Sequence, residues 1–70
     1  MSSQVFIDGI EFCQSQIDFG KRFKDKPFSE FIEYFDMAWD YDISEPEDIY
    51  ILARLHRYLN VHEYLKCIKL

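Results

Sequence analysis

Glycine, proline and cysteine each occur only twice in these 70 residues, and Lys and Arg are missing altogether between Pro27 and Ala53. Each shortage excludes something. Two cysteines, Cys13 and Cys67, are too few for the disulfide framework that staples small secreted domains. Both fall on the apolar side of helical stretches, so they are expected to be reduced and buried, as free thiols usually are. With so little glycine and proline there is no linker, low-complexity tract, repeat or glycine-rich phosphate loop, and no CxxC pair. No apolar run approaches the length of a membrane span. The start of the chain lacks the basic-then-apolar pattern of a secretory leader, so a cytoplasmic location is expected.

The missing cations shape the charge map. The formal net charge is −5. Residues 1–26 balance four acids against four bases, and residues 54–70 carry four bases and one acid. Between them, residues 27–53 hold eight carboxylates and no Lys or Arg. Nucleic-acid binding draws its affinity from cations that neutralise phosphates, so this middle argues against direct contact with a phosphate backbone. It suits a partner with a basic surface.

What the chain has in abundance is aromatic side chain: seven Phe, five Tyr and one Trp. A chain this short forms one domain, residues 1–70, and needs compensation for its small interior. Aromatic rings bury a large apolar area with few rotatable bonds to freeze.

Four helices are predicted. In "KPFSEFIEYFDMAWDYD", Phe28, Phe31, Ile32, Phe35, Ala38 and Trp39 repeat at helical spacing, which predicts a helix over 28–41. Glu30, Glu33, Asp36 and Asp40 gather on its opposite side, with Tyr34, Met37 and Tyr41 between the two rows. "SEPEDIY" places Ser44 three residues before Glu47, a capping-box spacing, with Pro46 in the first turn. The next helix is predicted from about Pro46 to Leu59, with Leu52, Leu55 and Leu59 inward and Tyr50, Arg54 and Arg57 on the other side. Asn60 and Glu63 repeat the cap pattern, predicting a junction at Asn60 and a short terminal helix with Val61, Tyr64, Leu65 and Ile68 as its apolar face.

The N-terminal stretch supports two readings. Taken as helix, Phe6, Ile10, Cys13 and Ile17 form one line and Val5, Phe12, Phe19 and Phe23 a second, with Gly9 and Gly20 between them. Taken as strand, Asp8-Gly9 is the turn of a hairpin over Val5–Phe12. The helical pattern persists for nearly twenty residues and isolated hairpins are marginal in water, so the helix is preferred. The expected fold is therefore all-α, three main helices plus a short C-terminal one. The alternative is α+β.

Catalytic chemistry has little to stand on. His56, His62, Glu63 and Cys67 are the only candidates, and His62 and Cys67, five apart on a helix, point in different directions and hold no common metal. No enzyme activity, cofactor or metal is expected. A helix-turn-helix reader of DNA would offer its groove only two lysines and a histidine. The basic run Lys21, Arg22, Lys24 and Lys26 reads as a solvated helix end, where cations suit the negative pole.

Within "DYDISEPEDIY", Glu45, Glu47 and Asp48 suit the positive end of the following helix, whereas Asp40 and Asp42 lie near the negative end of the preceding one. The candidate protein-binding surface is thus Glu30, Glu33, Tyr34, Asp36, Met37, Asp40, Tyr41 and Asp42, since aromatic and Met anchors beside charge are characteristic of interfaces. This points to a small acidic module that binds and modulates a larger protein, with inhibition as the favoured form. Size alone suggests a phage or other mobile element as its source, which would place it in the host cytoplasm. Two alternatives stand beside it. One is a structural homo-oligomer, such as a homodimer, formed through the first helix by Val5, Phe12, Phe19 and Phe23. The other is an inhibitor whose carboxylates imitate nucleic-acid phosphates to occupy a basic groove.

Overall fold

A computed structural model describes residues 4–67, with side chains described as far as Val61. The chain opens with a hairpin, β1 (Gln4–Ile7) and β2 (Ile10–Cys13), followed by helices α1 (Gln14–Phe23), α2 (Phe28–Ala38) and α3 (Pro46–Cys67). The fold is α+β, not all-α. The helix expected through the first twenty residues is a two-stranded antiparallel sheet leading directly into a ten-residue helix.

The turn explains the outcome. Asp8 and Gly9 adopt φ of 54° and 79°, the pair of positive angles that a two-residue type I′ connection demands and that Asp-Gly supplies at low cost. Register pairs Val5 with Phe12 and Ile7 with Ile10. With side chains alternating across the sheet, these four share one face, and Gln4, Phe6, Glu11 and Cys13 share the other. Ile7 and Phe12 are buried, while Phe6 is 67 % exposed. Val5 and Phe12, seven apart, and Ile7 and Ile10, three apart, share a face along a helix as well as across this hairpin, so the pattern alone could not decide. The hairpin is stable here because it is not isolated: its apolar face closes over α1 and α3.

The core joins all five elements. Ile7 and Phe12 come from the hairpin, Ile17 from α1, Phe31 and Phe35 from α2, and Leu52, Leu55 and Leu59 from α3. Around Phe35 the rings of Phe19, Phe31, Trp39 and Tyr41 lie with centroids 4.9–6.0 Å away. Gly20 is buried where α1 meets α3. A Cβ there would stand 2.7 Å from Leu59 Cδ1 and 3.6 Å from the Phe35 ring tip, so the close approach needs glycine.

Both predicted caps are corrected. Pro46 is the first residue of α3, which leaves Ser44 one residue too early to cap it. Ser44 instead donates from its amide and its hydroxyl to Asp42 Oδ1, at 3.0 and 2.6 Å. The Asp42 amide in turn donates to Asp48 Oδ2 at 2.8 Å. Nor does α3 break at Asn60. The helix runs on to Cys67, and Asn60 Nδ2 donates to the carbonyls of His56, one turn back, and Lys24, across the α1–α2 connection. An Asn with two acceptors in reach has no need to leave the helix. His56 reinforces the same connection, its Nε2 lying 3.1 Å from the Lys26 carbonyl, which requires that nitrogen to carry the proton. The side chains expected on the last helix, His62, Glu63, Tyr64, Leu65 and Cys67, lie outside the described residues, as does Ile68. Cys13, expected to be buried, is exposed, because it sits on the outer face of β2.

Candidate protein-binding surface

The acidic surface is built on α2. Pro27 opens the helix, its carbonyl accepting the amides of Glu30 and Phe31 at 3.0 and 2.9 Å. Phe31 and Phe35 anchor the inner face. At about 100° per residue their burial turns Glu30, Glu33, Asp36 and Met37 outward, and all four are exposed. The helix ends three residues earlier than the expected 28–41. Trp39 turns extended, at φ −133° and ψ 171°, and its amide closes on the Phe35 carbonyl at 2.8 Å. Asp40 thus follows the helix and is exposed rather than continuing its acidic row.

The eight residues of the candidate surface divide. Glu30, Glu33, Asp36 and Met37 share the open face of α2, with Asp40 just beyond it. Tyr34 is half-buried, its ring stacked on Phe23 with centroids 4.4 Å apart. Tyr41 is half-buried as well, accepting a hydrogen bond from Gln16 Nε2 at 3.1 Å. Asp42 has a carboxylate oxygen engaged by Ser44, and those two hydrogen bonds hold its acid below the usual range. Both tyrosines and Asp42 therefore belong to the architecture. The phosphate-imitating reading correspondingly loses Asp42 and Asp48 to internal hydrogen bonds.

Among the described residues, the ion pairs are Lys24 with Asp25 and Arg54 with Asp8, and neither involves the acids of α2. Glu30 lies in the first turn, where the helix dipole favours a carboxylate. Asp36 lies in the last turn, which holds no base, so the dipole opposes it. Met37 next to it is 81 % exposed, the most exposed large apolar side chain described.

The residues expected to join two copies through a first helix lose that basis with the helix itself. Phe12 is buried within its own chain, and Phe19 packs on Phe23, Phe35 and Trp39 at 4.8–5.0 Å. A different surface stands out on α3. Tyr50 is 52 % exposed, the Arg54 guanidinium lies 5.0 Å from its ring centroid, and Arg57 is exposed one turn further on. The i, i+4, i+7 spacing was visible in the sequence; its pairing of cation with aromatic required the structure.

Burial raises the Tyr41 phenol above its usual 10.0, helped by the nearby charges of Asp48 and Cys13 and opposed by the Gln16 hydrogen bond. A raised folded-state value means that folding favours the protonated phenol. That contribution is complete below the unfolded value and disappears as pH rises through the folded one, above 10.0. Tyr41→Phe is expected to cost about 1 kcal/mol at neutral pH through the lost hydrogen bond. The gap between parent and variant in urea melts should shrink once the phenol ionises, and a gap that widens in alkali would contradict this assignment.

No helix among the described residues is long and apolar enough to cross a membrane, and no three His, Cys, Asp or Glu side chains among them group as metal ligands would. No protein-family model matches the chain, and no curated protein or solved structure matches it either.

Proposed function

We propose that this chain is a small acidic interaction module that acts by covering a basic surface on a larger protein with the outer face of α2, and so inhibits whatever uses that surface. The observation that carries this reading is Met37, 81 % exposed, set among Glu33, Asp36 and Asp40 with no cation opposite them in the described structure. A stability-driven sequence gains nothing from a bare Met, nor from an acid in the last turn of a helix. An interface uses both, the apolar side chain as an anchor and the charges to steer encounter and select the partner.

Glu30, Glu33, Asp36 and Asp40 changed together to Gln should leave the fold intact, or steadier by a few tenths of a kcal/mol as like-charge repulsion is relieved. Partner affinity should fall roughly 10- to 100-fold, with a weaker dependence on salt. Tagged parent and variant, both checked for helicity, would be compared on a host lysate, followed by titration of the captured protein. Equal affinity for parent and variant would remove α2 as the site.

A further inference from the structure

We propose that α2 of one copy pairs antiparallel with α3 of a second copy, so that the acidic face of each chain is covered by the Tyr50–Arg54–Arg57 stripe of the other. The two faces match in register. On α2, Glu30, Glu33 and Met37 are exposed and stand at i, i+3 and i+7. On α3, read in the opposite direction, Arg57, Arg54 and Tyr50 stand at the same three spacings. At 1.5 Å per residue both sets fall at about 0, 4.5 and 10.5 Å along their axes, each on a single helical face. Antiparallel alignment therefore sets Glu30 opposite Arg57, Glu33 opposite Arg54, and Met37 opposite Tyr50, all three at once.

The chemistry matches the register. Two carboxylates without cations in the described structure meet two guanidiniums, and the bare Met37 thioether meets an aromatic face, a contact that sulfur favours. Arg54 keeps accessible surface, its side chain 35 % exposed, and its intrachain contact with Asp8 is long at 3.8 Å. Its place against the Tyr50 ring, 5.0 Å from the centroid, holds the two side chains together on the stripe. In a closed two-fold pair each copy uses both of its faces, so the same contact is made twice. This inference concerns copies of the chain alone and stands or falls without any external partner. Should both hold, the partner must displace the second copy to reach α2.

Sedimentation equilibrium on the purified full chain, from about 10 μM to about 1 mM, tests it, a range suited to contacts made largely of exposed charges. The parent's average mass should climb toward twice that of the chain. Glu30→Arg and Arg57→Glu each place like charges opposite one another, twice per pair, and should each weaken association roughly tenfold or more. Mixed in equal amounts they should associate again, since one contact is then restored with its charges exchanged and the other is native. Both side chains of the exchange (Glu30 and Arg57) are exposed, so both variants should keep the parent's circular dichroism. If either does not, Glu30→Gln and Arg57→Gln, with the parent at high salt, probe the same contact. A parent that stays at the mass of one chain throughout overturns the proposal. So do variants that associate like the parent, or a mixture that fails to recover.

Discussion

Phe35→Ala is expected to lower the melting midpoint by roughly 15–30 °C, or to remove the cooperative transition altogether, through a loss of about 3–5 kcal/mol. The side chain is fully buried and lies at the centre of the aromatic cluster, edge-on to Phe19 at 5.0 Å and near the rings of Phe31, Trp39 and Tyr41. Its tip also faces Gly20, which has no side chain to swing into the space left behind. The site should therefore collapse poorly, placing the loss toward the upper end of that range. A domain of this size has a total stability of about 5 kcal/mol, so one ring represents most of it. Phe6→Ala is the matched control, because Phe6 is 67 % exposed on the outer face of the hairpin and should shift stability by less than about 0.5 kcal/mol. Thermal melts of the three proteins decide the matter. A Phe35→Ala variant melting within a few degrees of the parent would mean that the ring cluster is not what holds the fold.

The inward place of Phe35 was readable from the sequence, and so was most of the helical core; its central position among the rings was not. Phe31, Phe35, Leu52, Leu55 and Leu59 recur at 3.6-residue spacing within segments long enough to exclude strands, and each is buried as that spacing requires. The errors lie where local patterns compete with tertiary ones. "VFIDGIEF" satisfies both periods, and only the cover supplied by α1 and α3 makes the hairpin the better solution. Ser44 and Asn60 carry genuine capping chemistry, yet each satisfies its side chain elsewhere, Ser44 on Asp42 and Asn60 on two carbonyls. Capping signals state what a residue can do at a helix end, not that the end is there.

The candidate surface was legible in the same partial way. Spacing alone placed Glu30, Glu33, Asp36 and Met37 on the outside of α2. It could not show that Tyr41 folds back to meet Gln16, nor that Phe23 takes up one face of Tyr34, because both contacts cross between elements. Likewise the Arg54 stripe was visible as a cluster. Its match to α2 emerged only when both helices were known to be regular and both faces accessible.

Phe12→Ala is the second substitution expected to have a large effect, about 3 kcal/mol, and it tests whether the hairpin is an integral layer or an appendage. Phe12 is almost wholly buried and stands opposite Val5 in the register. A two-stranded sheet has little stability of its own, so without this anchor the strands should undock before the helices do. Amide exchange should report it: Val5–Ile7 should lose most of their protection, while amides within α2 and α3 lose only what the global destabilisation dictates. Uniform loss throughout would mean that hairpin and helices form one cooperative unit. Gly9→Ala completes the argument through its sign. Gly9 has φ of 79° with open space around the missing Cβ, so the cost is purely that of a left-handed backbone, about 1–2 kcal/mol. In a continuous helix the same substitution would stabilise by about 1 kcal/mol. A stabilised Gly9→Ala protein would restore the helical reading of the N-terminus; a destabilised one leaves the hairpin as the only conformation that explains both Asp8 and Gly9.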